Sequence, residues 1–194
     1  GETYTVTGGG YNPEGEIQHQ EQPINAKDIP ILSELLLAGV LCNDSHLEQK
    51  DGNWVAIGDP TEGALITVAN KAGIIQAAAE RMNPRFDSIP FESQFQYMAT
   101  LHQTRNAKVI YVKGSAEAIL KRSSAALNND GELTTLDVEA INQRVDEMAK
   151  QGLRVLAFAK KKVGESQDKV DHSDIESGLE FIGLQAMIDP PRPE

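Results

Sequence analysis

Cysteine is almost absent from this chain: Cys42 stands alone among 194 residues. A single thiol excludes a disulfide framework and a cysteine-built zinc site, and it fits a reducing, cytoplasmic setting. Cys42 lies in an apolar helical pattern, which marks it as a buried structural thiol. Long hydrophobic runs are missing as well. No stretch reaches the roughly 18–20 apolar residues of a membrane helix, and the most apolar segment, residues 29–42, is interrupted by Ser33 and Glu34. Nor does a basic-then-apolar leader open the chain. If the natural protein sits in a membrane, its spans are expected outside this segment. Positive charge is scarce: 18 Lys and Arg against 29 Asp and Glu give a net charge of −11. Such a surface repels nucleic acid and anionic lipid, so neither nucleic acid nor direct membrane contact is expected. It also repels a nucleotide at long range. Any nucleotide site must therefore rest on a few placed cations and on apolar stacking.

The familiar self-contained catalytic and nucleotide signatures are also lacking. There is no GxxxxGK[ST] loop, no HExxH and no GxSxG. The glycines Gly8-Gly9-Gly10 and Gly15 do not lead from a strand directly into a helix, so a dinucleotide fingerprint fails. His19, His46, His102 and His172 are scattered without metal-ligand spacing, and no metal site is expected.

What remains is an ordinary globular composition, 40% apolar and 24% charged, of one domain or a domain and a half. Tyr4–Thr7 reads as a short strand, and the Gly/Pro-punctuated segment to Lys27 as a surface loop. Asp28 can cap a helix over about 30–42, with Ile31, Leu35, Ala38 and Leu41 on one face. Residues 43–53 read as a polar loop, followed by the apolar piece 54–57. Asp59-Pro60-Thr61-Glu62 is a strong helix start, with Asp as N-cap, Pro at N1 and Glu at N3. That helix is expected to reach Lys71 and stop at Gly73, with a second over 74–82. Strands follow over 85–91, 96–103 and 108–113, the last two joined by a tight turn. A helix is expected over 115–127 and another over 136–151, ended by Gly152 at C′. A strand over 154–163, an acidic loop over 164–178 and a strand over 179–188 complete the domain. The pattern predicts an α+β fold, a mostly antiparallel twisted sheet flanked by helices.

Asp189-Pro190-Pro191-Arg192-Pro193-Glu194 reads as a stiff connector, since each proline fixes its own φ and restricts its predecessor. The natural chain is expected to continue beyond it.

Several short motifs then stand in a telling order. Gly58-Asp59-Pro60-Thr61-Glu62-Gly63-Ala64-Leu65 is followed by Pro90-Phe91 with Met98, then Val112-Lys113-Gly114, then Gly152-Leu153-Arg154-Val155-Leu156-Ala157, then Met187-Ile188-Asp189-Pro190-Pro191-Arg192. Together they resemble the nucleotide-binding (N) domain of type II P-type cation-transporting ATPases, and they run through most of the chain. The resemblance implies the N-domain fold over 1–188, with Asp189, Pro190, Pro191 and Arg192 starting a hinge back to a phosphorylation domain. It implies that ATP or ADP, as Mg-ATP, binds at Glu62, Phe91, Gln96, Met98, Lys113, Gly114, Arg154 and Leu156. The magnesium would be held mainly by the phosphorylation domain, and no catalytic residue lies in this segment. The Asp-Lys-Thr-Gly-Thr phosphorylation motif is missing and would precede Gly1. The piece would thus hold ATP and deliver its γ-phosphate to an aspartate elsewhere, as a cytoplasmic domain of an integral membrane protein. Its partners would be the nucleotide and the phosphorylation and actuator domains. The lack of a His-Pro dipeptide argues against the heavy-metal branch.

Each implied role has a plainer alternative. Glu62 can accept from the adenine amino group or merely complete a capping box with Asp59. Phe91 can stack on a base, an effect of about 1–3 kcal/mol, or fill the core at a strand end. Lys113 stands where a strand meets a glycine and a helix start, a favourable place for negative charge, or it is simply solvated. Gly114 would let a ligand approach the backbone closely. Arg154 can fork onto phosphate or pair with one of the many acids. The sequence departs from the family at Gln96, where a lysine is usual, and at Ser115, where alanine is common. Glutamine brings no charge, so the grip on phosphate is expected to be loose. Two other classes remain: a complete small hydrolase, and a regulatory module docking a basic partner on the acidic loop 164–178.

Overall fold

A computed structural model describes residues 1–188. The elements, in chain order, are β1 (Thr5–Val6), β2 (Ile17–His19), β3 (Gln22–Pro23), α1 (Pro30–Leu41), β4 (His46–Lys50), β5 (Asn53–Ile57), α2 (Pro60–Lys71), α3 (Gln76–Met82) and β6 (Arg85–Glu92). They continue with β7 (Tyr97–Gln103), β8 (Lys108–Gly114), α4 (Ala116–Leu120), β9 (Ser123–Leu127), β10 (Leu133–Thr134), α5 (Val138–Lys150), β11 (Leu153–Val163), α6 (His172–Ile175) and β12 (Leu179–Ile188).

The central sheet has the order β10-β9-β12-β11-β8-β7-β6. Every pairing in it is antiparallel except β12 with β9, so the α+β, mostly antiparallel reading holds. Side chains alternate between its faces. Met98, Val109, Tyr111, Phe158 and Ile182 point into a core shared with α1 and with Leu65 and Ala69 of α2. Tyr97, Ala99, Leu101, Ile110, Val112, Ala157 and Ala159 point into a second core with Ile119, Ile175 and Leu179. Helix α1 is apolar nearly all round because it is covered on several sides, with Leu36, Ala38, Val40 and Leu41 almost without exposure. Cys42 follows it, fully buried, its thiol donating toward Met98 O and Tyr111 O, and burial raises its pKa.

Several local expectations are corrected. The strand read at Tyr4–Thr7 is β1, but the presumed loop between it and Lys27 holds β2 and β3, which complete a small antiparallel sheet. Its turn uses Gln20 and Glu21 at φ 51° and 67°, left-handed positions without the glycine that would announce them. The polar stretch 43–53 contains β4 paired with β5, and Asp51-Gly52, both at positive φ, form the turn between them. Helix α1 begins at Pro30 with Ile29 as N-cap and no side-chain cap; Asp28 instead ends the short 3-10 turn Ala26–Asp28, capped by Asn25. The expected helix over 115–127 stops at Leu120. Beyond it Ser123–Leu127 form β9, because pairing with β12 overrides the helix preference of its alanines.

The acidic segment 164–178 crosses the sheet as a strap. Lys108 Nζ donates to Gln167 O (2.9 Å) and Asp168 (2.7 Å), and the Val170 amide donates to Asp87 (2.8 Å). That amide bond holds the Asp87 carboxyl below its ordinary pKa. Lys161 donates to Asp174 O and Ser177 O at the other end, while Val170 and Ile175 are buried beneath.

Candidate functional site

In an antiparallel run β6-β7-β8-β11, the end of β6, the start of β7, the end of β8 and the start of β11 meet at one edge. Phe91, Met98, Lys113, Gly114, Arg154 and Leu156 lie at those strand ends, and Gln96 in the turn that joins β6 to β7. Met98 is the register partner of Lys113, and Phe158 is its partner on the other side. Strand alternation puts Met98, Lys113, Arg154 and Leu156 on the face that carries α1 and α2. Residues far apart in sequence are thus gathered by topology alone.

Helix α2 brings Glu62 to the same place. Its start is fixed by Asp59, whose carboxylate accepts from the Thr61 amide (2.7 Å) and the Glu62 amide (3.3 Å), with Pro60 at N1. A cap of this kind contributes about 1 kcal/mol. Glu62 does not complete a capping box: the Asp59 amide donates instead to Ser45 Oγ at 2.9 Å. This frees the Glu62 carboxylate to turn toward the sheet. There it accepts from Lys113 Nζ (2.7 Å), the Asp44 amide (3.1 Å) and the Ser45 hydroxyl (2.9 Å). Lys113 is only 7% exposed, so it is not the solvated surface lysine of the plainer alternative. An ammonium carries three N–H donors, and Glu62 takes one.

The remaining candidates divide into anchored and open groups. Met98 is buried and Leu156 half-buried against the first core, so both offer an apolar floor. Phe91 is 55% exposed, which sets aside its reading as a core residue. Gln96 sits in the turn after β6 at φ 59°, exposed, with its side-chain amide donating to Ser93 O. Gly114 has a reason of its own: a Cβ there would lie 2.3 Å from Gln96 O and 2.9 Å from Tyr97 Cα. What it makes room for is the neighbouring strand. Arg154 is exposed and its guanidinium reaches Thr61 Oγ1 at 3.4 Å, which ties β11 to the start of α2. Asp189, Pro190, Pro191 and Arg192 lie outside the described residues.

A groove of about 540 Å³ opens beside this region, lined by residues including Asp44, Ser45, His46, Glu80, Arg85 and His102. It shares Asp44 and Ser45 with the Glu62 cluster, yet none of the candidate nucleotide residues lines it. Its arginine is already bonded: Arg85 donates to Asp44 (2.7 Å), Asn43 O (2.8 Å) and Leu41 O (3.1 Å). His102, in its wall, is held neutral by burial, its pKa lowered to about 4, with Asn83 O and Thr100 on its two nitrogens. Sequence reasoning missed Asn43, Asp44 and Ser45 as supports of the site. Their one signal was a run of short polar side chains just after an apolar helix, a pattern that favours local side-chain-to-backbone bonds. Among the described residues, no group of three or more His, Cys, Asp or Glu converges as metal ligands would. Among them, too, no helix is long and apolar enough to cross a membrane.

A seven-stranded, mostly antiparallel sheet with a carboxylate–lysine pair at one edge defines a recognisable kind of module. The family model described as P-type ATPase, cytoplasmic domain N, matches residues 31–194, and the chain belongs to that family. It is 52% identical over its whole length to the cation-transporting ATPase pma1 of Synechocystis sp.. Over its whole length it is also 35% identical to a calcium-transporting ATPase of Bacillus subtilis, and over 96% of it 37% identical to the probable cation-transporting ATPase F of Mycobacterium bovis. It covers only 21–22% of the length of these relatives.

Proposed function

We propose that this domain holds an adenine nucleotide at the β6-β7-β8-β11 edge and presents its γ-phosphate to an aspartate on a phosphorylation domain of the same chain. The observation that carries the reading is the pair of buried Lys113 and half-buried Glu62, at an edge that also offers an exposed aromatic ring. Phe91 stacks on the base, and Met98 and Leu156 form the apolar floor beneath it. Glu62 accepts from the exocyclic amino group. Lys113, with two donors beyond the one taken by Glu62, faces the ribose and phosphates, next to Gly114 and the Ser115-capped start of α4. Arg154 forks onto phosphate oxygens, and Gln96 adds an uncharged hydrogen bond.

The nucleotide arrives as Mg-ATP, with the metal held chiefly by the phosphorylation domain. This domain then acts by position: closure at the hinge residues 189–192, driven with the actuator domain, brings the phosphoryl group into line. Loose binding suits that task, because tight ground-state binding lowers KM without raising turnover. The names of the relatives support a parent that is a membrane cation pump, with this domain on its cytoplasmic side.

A ¹H–¹⁵N NMR titration with ATP, ADP and GTP, repeated on Phe91→Ala, tests the reading. Saturable shifts around Glu62, Phe91, Lys113 and Arg154, alike for ATP and ADP and mostly lost in the variant, are expected. Shifts elsewhere would sink the site, and no shifts at millimolar nucleotide would sink the function.

A further inference from the structure

We propose that Ser45 is a specificity-setting positioning residue, which aims the Glu62 carboxylate so that one oxygen lone pair faces an adenine amino group. The inference rests on the nucleotide reading above and deepens it. A serine hydroxyl has one proton and can place it in several directions. Here the choice is made for it. The Asp59 amide donates to Ser45 Oγ at 2.9 Å, filling an acceptor site, and the hydroxyl proton is directed to Glu62 Oε1 at 2.9 Å. The serine itself is held: its amide donates to Asn43 Oδ1 at 2.8 Å, and it is 5% exposed. Asn43 in turn donates to Gly39 O and to Glu62 O, both at 3.0 Å, tying α1, the loop and α2 together. Gly58, at φ 112°, leaves the space; a Cβ there would lie 2.4 Å from Ser45 Oγ.

The carboxylate can then be counted. It has about four lone-pair sites. On Oε2 the Asp44 amide and Lys113 occupy two, and on Oε1 Ser45 occupies one. The lone pair left on Oε1 accepts the N–H of adenine. Guanine presents a carbonyl oxygen at the same place, which meets the carboxylate with no proton between them. Without the Ser45 hydroxyl the carboxylate can rotate about its last torsion, and this discrimination is blurred.

The test compares ATP and GTP affinity by NMR titration for the wild-type chain, Ser45→Ala and Ser45→Cys, and for Ser45→Ala in a Glu62→Gln background. Wild type is expected to prefer ATP. Ser45→Ala should lose about tenfold in ATP affinity with little change for GTP, and Ser45→Cys, a weaker donor of similar size, should fall between. In the Glu62→Gln background the serine change should add nothing to the ratio. A folded Ser45→Ala chain with the wild-type ratio, or with equal losses for both nucleotides, overturns the proposal while leaving the nucleotide site standing. Wild-type binding to neither nucleotide overturns the underlying reading instead. If Ser45→Ala does not fold, the ratio of Ser45→Cys decides in the same way.

Discussion

Replacing Glu62 by Ala and Lys113 by Met should destabilise the fold unequally, and the direction follows from their hydrogen bonds. Their charged atoms lie 2.7 Å apart, with side-chain exposures of 8% for Lys113 and 14% for Glu62. At an effective dielectric of about 20 the gross attraction is about 6 kcal/mol, but desolvating both groups offsets most of it. What matters is what each variant strands. Lys113→Met leaves Glu62 with two donors, the Ser45 hydroxyl and the Asp44 amide. It should cost about 2 kcal/mol. Glu62→Ala leaves the buried Lys113 ammonium with no carboxylate beside it, and it also removes the acceptor of the Ser45 hydroxyl and the Asp44 amide. That loss should be about 4 kcal/mol. The double variant removes the stranded cation, so its cost should fall short of the sum by about 2 kcal/mol. Urea unfolding followed by circular dichroism, with an unchanged m-value, measures all three. Equal single losses that simply add would refute the argument, because they would mean the pair is solvated and uncoupled.

Phe91→Ala should change stability by less than about 0.5 kcal/mol, because the ring is largely exposed, yet lower nucleotide affinity roughly tenfold, within the range of one lost base stack. Gly114→Ala should cost about 2 kcal/mol in urea unfolding, since its Cβ would meet the β7 backbone, where nothing flexible can yield. His102 makes stability pH-dependent. Burial depresses its pKa from 6.5 to about 4, so its contribution is whole above the unfolded value. It is lost as pH falls toward the folded value, by about 3 kcal/mol across that window. Urea midpoints measured between about pH 7 and pH 4 should show that slope, and a folded His102→Gln chain should show a shallower one; identical slopes would refute it.

How much was legible in the sequence depended on whether the signal was local. Helix α2 was read correctly because its start is written in four adjacent residues, each with its own physical job, and its end in Gly73. Strands β7, β8 and β12 were legible because they are largely apolar runs bounded by turn residues. The hairpin of β4 and β5 was not, because β4 is polar and mostly exposed and β5 is a short apolar piece with no apolar partner strand, although Asp51-Gly52 carried the turn signal. β9 was hidden for a different reason: a stretch of serine and alanine has no strand character of its own and becomes a strand only beside β12.

The site shows the same division at finer scale. Motifs located Glu62 and Lys113 individually, but 51 residues separate them, and no local rule says that a carboxylate at N3 of a helix will abandon its own cap. It does so because Ser45 has already taken the Asp59 amide, and Ser45 is available only because Gly58 leaves it space. The Asp59 amide thus has two possible acceptors, the Glu62 carboxylate and the Ser45 hydroxyl, and a residue of the preceding loop decides the outcome. A first-turn glutamate is released to face another element when some other group satisfies the N-cap amide. The place to look for that substitute is the loop packed against the helix start, in whichever short polar side chain a nearby glycine admits. Here the loop 43–45 supplies it, which is why a segment that reads as an unremarkable connector governs the chemistry of a helix whose start lies well beyond it in the chain.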